Sequence, residues 1–189
     1  VITFGCDYTS GTFNQTNDGE WIAMNYMSWP DLAAYADWAA LRPMTELEYE
    51  KAARGPLTSV NQEYAWGATY LTQAQGAVQN AGLTNEVANT TGNGLCNYNG
   101  AGTDISGPLR SGFAATSATT RVTSGAGYYG NMDLSGNLQE LAVTVGSAKG
   151  RLFRGTHGDG ILTATTGYEG NATNVDWPGI DTTQTHGVT

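Results

Sequence analysis

The stretch from Gly67 to Gly130 constrains this chain most. Gly, Asn, Thr and Ser dominate it, and neither the strand nor the helix period is sustained through it. An ordinary compact domain does not carry so long an irregular segment unless something holds it. Bound metal is one holder. Aromatic anchors are another, and Tyr98, Phe113, Tyr128 and Tyr129 are the candidates.

Regular structure is readable on either side. Ser28-Trp29-Pro30-Asp31 starts a helix: Ser28 caps it, Pro30 sits in the first turn where its missing N–H costs nothing, and Asp31 completes a capping box. Leu32, Tyr35, Ala36 and Ala39 recur at helical spacing and predict a buried face. A second helix starts at Thr45 with a box through Glu48, takes apolar contacts from Leu47, Tyr49 and Ala52, and stops near Arg54 at Gly55-Pro56. Leu141–Val145 and Arg151–Arg154 read as short strands around a Gly146–Gly150 turn. No tandem repeat is present.

With 189 residues, the chain suits one domain with a sizeable core. The formal charge is −9, from 17 acidic and 8 basic residues, so the basic footprint of a nucleic-acid binder is missing. No apolar run approaches the length of a membrane span. Only 13% of residues are charged but 40% are hydrophobic, which argues against disorder and for a loop-rich extracellular or surface domain. Cys6 and Cys96 allow one disulfide or two independent buried thiols. Asn14-Gln15-Thr16, Asn89-Thr90-Thr91 and Asn171-Ala172-Thr173 match the glycosylation pattern and are consistent with exposed loops.

Several enzyme classes are excluded by motif. There is no G-x-S-x-G elbow, no phosphate-binding G-x-x-x-x-G-K-[ST] and no dinucleotide fingerprint after a strand. Glu46, Glu48 and Glu50 do not share a helix face at their spacing, and capping with ion pairs to Lys51 and Arg54 explains them better than paired catalytic carboxylates.

Four segments together resemble one family. Leu41-Arg42-Pro43-Met44-Thr45-Glu46-Leu47-Glu48-Tyr49-Glu50-Lys51-Ala52-Ala53-Arg54-Gly55 is similar to its R-L-P-T-E-x-E-W-E-x-A-A-R-G. Tyr64-Ala65-Trp66-Gly67 looks like its Y-P-W-G, and Asp133-Leu134-Ser135-Gly136-Asn137-Leu138-Gln139-Glu140 like its D-M-x-G-N-V-W-E-W. Arg154-Gly155-Thr156 stands at its R-G-G-S. The family is that of the formylglycine-generating enzymes, or sulfatase-modifying factors, and the resemblance covers roughly residues 26–160. It implies an α+β fold, a variant of the C-type lectin fold, with two helices packed on short irregular antiparallel strands. The opening strand and the closing G-F-R strand of such domains are not recognisable, so residues 1–189 are expected to be one domain within a longer chain.

The resemblance also implies structural calcium. Matched position by position, the first site takes the Asp133 and Glu140 carboxylates with the Gly136 and Leu138 carbonyls. Calcium prefers six to eight hard oxygens, which one tight loop of carboxylates and carbonyls supplies. The alternative is an acidic turn with solvated carboxylates. A second site would use Asn97, the Tyr98 carbonyl and Asp104, against a simple turn at Asn99-Gly100.

Activity is where the chain departs from the pattern. The family's oxidases hold copper(I) with a cysteine pair just after R-G-G-S, and soft thiolates suit that ion. Here His157, Gly158, Asp159 and Gly160 follow, and no cysteine stands downstream. His157 and His186 alone cannot make a three-histidine iron site. The expectation is a non-enzyme: a calcium-stabilised module of a secreted or cell-surface bacterial protein, serving adhesion, ligand display or assembly. Its partners would be a surface glycan or protein and other domains of its own chain, with no nucleic acid and no membrane span. The alternative is an oxygen-dependent oxidase whose metal ligands lie outside these residues. The binding surface is expected in the loops after Gly155, around His157, Tyr168 and Trp177. Trp177 reads equally well as a core plug.

Overall fold

The computed structural model describes residues 12–13, 15, 19–99, 105–179 and 185–188. Among them are two α-helices, four two-residue strands and one 3₁₀ turn, a loop-rich α+β architecture. The chain divides into two compact units, one of Val1–Asn25 with Lys51–Glu140 and one of Tyr26–Glu50 with Leu141–Thr189.

In the second unit, helix α1 runs Trp29–Trp38. The capping box closes as its sequence predicts. Ser28 Oγ accepts from Asp31 N–H at 3.4 Å, and the Asp31 carboxylate accepts from Ser28 N–H at 3.0 Å. The buried face differs from the expected one: Ala33, Ala36 and Asp37 point inward, whereas Tyr35 is 55% exposed. Small side chains let neighbouring loop backbone approach the helix closely. Gly158 shows this, since a Cβ there would lie 2.3 Å from Asp37 Cα. Ala33 and Ala36 join Ala172, Trp177 and Val188 in one core cluster, with Trp29 and Phe153 packed against it.

Helix α2 runs Glu46–Arg54. Thr45 caps it: Glu48 N–H donates to Thr45 Oγ1 at 3.2 Å, and Thr45 N–H donates back to the Glu48 carboxylate at 2.9 Å. Leu47 is 62% exposed, Tyr49 and Ala52 are half-buried as expected, and Ala53 beside them is buried. The two strands expected after Glu140 are reduced. Leu141–Val145 contributes a single parallel bridge, Thr45 to Val143, and Gly150–Leu152 is a 3₁₀ turn. Gly150, at the end of the expected turn, packs so tightly on the Thr144 carbonyl that a Cβ would lie 1.7 Å from its oxygen.

The first unit contains the Gly67–Gly130 stretch. Strand β1 (Thr72–Gln73) pairs parallel with β4 (Leu95–Cys96), and β2 (Val78–Gln79) pairs antiparallel with β3 (Val87–Ala88). One of the two pairings therefore departs from the antiparallel expectation. Ala74, Leu95, Leu109, Phe113 and Ala114 form the core. Of the four aromatic anchors expected, Phe113 is 1% exposed, while Tyr98, Tyr128 and Tyr129 lie on the surface. Trp66 is the anchor the expectation passed over. It is buried, its Nε1 donates to the Tyr70 carbonyl at 2.9 Å, and Gly94 lies so close that a Cβ would be 2.6 Å from the indole.

Side-chain bonds to backbone do the rest. Buried Glu86 accepts from Arg110 N–H and Gly82 N–H, both at 2.7 Å, and Arg110 Nε donates to the Glu86 carbonyl at 3.1 Å. Buried polar groups bound in this way rigidify a segment that has little ladder structure. Among the described residues no helix is long and apolar enough to cross a membrane.

Candidate metal centre and recognition loops

The Asp133–Glu140 loop is built from positive-φ residues: Asp133 at 60°, Gly136 at 96° and Asn137 at 64°. Only glycine fits at 136, because a Cβ would lie 2.8 Å from the Asn97 carbonyl oxygen. Asn137 N–H donates to that same oxygen at 2.7 Å. The Asn137 side chain clasps Leu109 in both directions, accepting from its N–H at 2.7 Å and donating to its carbonyl at 3.0 Å. The two stretches that sequence matched to calcium sites, Asn97-Tyr98 and Asp133–Glu140, are therefore held side by side.

Asp133, Leu138 and Glu140 line a cavity of about 500 Å³ with Met132 and Leu134. The Asp133 carboxylate accepts from Gly112 N–H at 2.6 Å. Burial pushes the Asp133 carboxyl up from its ordinary range, against the Gly112 N–H and the nearby Arg110 charge. Glu140 as a residue is exposed, yet protein crowded around its carboxyl pushes it up too, and the Asp133 charge adds to the rise. The two carboxylates repel each other, which disfavours their both being charged. The Gly136 and Leu138 carbonyls accept no hydrogen bond from another described residue.

Asn97 is 5% exposed. Its Nδ2 donates to the Gly107 carbonyl at 2.6 Å, while its Oδ1 is buried with no hydrogen-bond partner among the described residues. An unpaired buried acceptor costs roughly 1–3 kcal/mol. Asn97 and Tyr98 line a second cavity of about 130 Å³, and the Tyr98 carbonyl already accepts from Gln73 Nε2 at 2.8 Å. Asn137 and Leu138 border both cavities. Asp104 lies outside the described residues. Among the described residues no three His, Cys, Asp or Glu side chains converge, so the oxygens on offer are those of two carboxylates, an amide and the backbone. That hard donor set fits calcium.

The loops after Gly155 sort differently. His157 is exposed, and its carbonyl accepts from Asn174 Nδ2 at 3.0 Å. Tyr168 is 38% exposed, but one ring face stacks on His186 at 3.8 Å and 12°. Trp177 is 1% exposed, and its Nε1 donates to the Thr156 carbonyl at 2.9 Å. It is a core plug and does not face a ligand, contrary to the expectation that grouped it with His157 and Tyr168. Asp176 accepts from Arg154 N–H at 2.8 Å and from the Thr156 hydroxyl, bonds that hold its carboxyl below the usual range despite partial burial. Sequence reading missed Asp37. Its signal was an acid set among Ala33 and Ala36, on a stripe otherwise fit for the core.

Cys96 is buried, and burial pushes its thiol up to about 11. The alternative of a bridge to Cys6 falls outside the described residues, as does the Asn14 sequon. Asn89 and Asn171 both spend their amide nitrogens on backbone carbonyls, those of Ala77 at 2.7 Å and His186 at 2.8 Å.

The sulfatase-modifying factor enzyme 1-like domain family matches residues 15–166. A formylglycine-generating enzyme of Streptomyces coelicolor is 52% identical over 42 residues, which cover 22% of this chain and 13% of that enzyme. No solved structure matches. The match spans most of the chain and includes the Arg42–Gly55, Tyr64–Gly67 and Asp133–Glu140 segments, so this chain belongs to the sulfatase-modifying factor, or formylglycine-generating enzyme, family.

Proposed function

We propose that this is a non-catalytic, calcium-stabilised, C-type-lectin-like recognition module of a secreted or cell-surface bacterial protein, acting in adhesion, ligand display or assembly. Calcium would be held by the Asp133 and Glu140 carboxylates with the Gly136 and Leu138 carbonyls, and by Asn97 with the Tyr98 carbonyl and Asp104. Its charge would neutralise crowded carboxylates and give buried Asn97 Oδ1 a partner. The recognition surface would be the exposed loops around His157 and Tyr168, where residues on a fixed scaffold serve binding. A surface glycan or protein is the ligand class, and other domains of the same chain are the remaining partners.

The observation that carries the non-enzyme reading is the donor set after Arg154-Gly155. Thr156, His157 and Asp159 stand there, and both cysteines of the chain are upstream. These oxygens and one imidazole do not fit copper(I), which prefers thiolates. The one thiol described, Cys96, is buried with its thiolate disfavoured. Mass spectrometry of a cysteine-containing sulfatase peptide, incubated with the protein, oxygen and copper, should show no formylglycine above a metal-only blank. Confirmed turnover would defeat this reading. A second reading is an oxidase whose metal ligands lie outside these residues, and the same assay on a longer polypeptide tests it.

A further inference from the structure

Asp37 is fully buried on α1, and both carboxylate oxygens are in use. Oδ1 accepts from Asp159 N–H at 2.9 Å and Oδ2 from Thr173 N–H at 2.9 Å. Its own carbonyl accepts from Gly160 N–H at 3.1 Å, and the loop amide just before Asp159, that of Gly158, donates to the Leu41 carbonyl at 2.7 Å. The two loop segments are also tied to each other. Thr173 Oγ1 donates to the Ile161 carbonyl at 2.8 Å, Asn174 Nδ2 to the His157 carbonyl at 3.0 Å, and Leu162 bridges Ala172.

We propose that Asp37 is the positioning residue of the recognition face, fixing His157–Ile161 and Asn171–Asn174 as one preformed surface. This rests on reading those loops as that face. The residue type follows from the geometry. Two loop amides converge on one short side chain, so two acceptor oxygens are needed at that length. Asparagine offers one acceptor and turns an NH₂ toward the other N–H, while glutamate is a methylene too long for a site this tightly packed. A carboxylate strengthens both bonds, because hydrogen bonds to an ionised acceptor are about twice as strong as neutral ones. Anchoring on a helix passes the scaffold's rigidity to the loops. The exposed His157 and Asp159 side chains are then presented in one arrangement, which spares a ligand the ordering cost of a floppy loop.

The test is amide hydrogen exchange by NMR on the 189-residue protein, wild type and Asp37→Asn. In the wild type, the Asp159 and Thr173 amides should be protected although the loops are at the surface. Exchange there at the rate of a free loop amide overturns the proposal without any variant. In Asp37→Asn, one of the two should exchange roughly ten- to hundredfold faster. The Glu46 and Val143 amides, bonded elsewhere in the same unit, should stay unchanged. Acceleration of all four alike would mark Asp37 as a general stability residue and overturn the positioning role. A glycan and surface-protein array run with both proteins separates the two ideas. A ligand bound by wild type and weakened by Asp37→Asn supports the proposal, and one bound equally by both overturns it. The predicted exchange pattern with nothing bound by wild type keeps Asp37 as the loop brace and sinks the recognition reading.

Discussion

A tryptophan in a loop of Gly, Thr and Asn can serve a ligand or fill a core, and burial decides for Trp177. Truncating it to alanine should cost about 3–5 kcal/mol in denaturant unfolding. Tyr168→Ala, at a half-open position stacked on His186, should cost far less. A small loss for Trp177→Ala would return that residue to the surface account. Glu48 shows the opposite case, an exposed residue whose cap role was legible, although its ion pair is with Arg42 and not with Lys51 or Arg54. The Arg42 guanidinium, then the Thr45 N–H, hold its carboxyl down to about 2 from an ordinary 4.5. A depressed carboxyl stabilises the fold fully above its unfolded value. That contribution is lost as pH falls from about 4.5 through about 2. Acid unfolding should therefore converge for wild type and Glu48→Gln near the bottom of that window, and differ modestly at neutral pH, because the pair is largely solvent-screened. Equal stability of the two proteins at neutral pH would remove Glu48 from the account. Local motifs such as Thr45 to Glu48 can be read from spacing alone. Asp37 and Asn97 could not, because their partners lie up to 136 residues away and only the folded chain brings them together.

Both helices were legible as elements because their caps are local chemistry, complete within four residues at Ser28 and Thr45. Thr45→Ala should lower stability by about 1 kcal/mol, read from the denaturation midpoint. A fully stable variant would mean the cap is idle. The strands were not legible. Two-residue ladders leave no alternation to detect, and the parallel pair β1–β4 joins residues more than twenty positions apart. Gly150 closes the predicted turn, and the 3₁₀ turn runs on from it into the segment expected to be the second strand. A methyl group there would overlap the Thr144 carbonyl, so Gly150→Ala should force the backbone apart and lower the melting temperature. An unchanged melting temperature would show that the turn yields easily.

At the scale of the molecule, little ladder structure has to be offset by other ties. In the first unit those are buried Trp66 and Phe113, the Glu86–Arg110 bonds and the Asn137 clasp on Leu109. The family and its α+β class were readable from four short segments, since motifs survive where periodicity does not. The candidate metal centre was readable only as a list of possible ligands. Its legible part was the Asp133–Glu140 string. The unpaired Asn97 oxygen, and the bond from Asn137 that sets it beside that string, emerge only from the fold.

Calcium is the tie the account adds, and it is the most direct point of attack. A ligand bound only by the native state stabilises it by about 2.7 kcal/mol at a hundred times its dissociation constant. Scanning calorimetry of the purified protein, stripped with chelator and then titrated with calcium, should show the melting temperature rise saturably. Glu140→Gln should blunt most of that rise, and Asn97→Ala should remove part of it. A melting temperature that ignores both chelator and calcium, in protein shown by elemental analysis to be metal-free, would contradict the account.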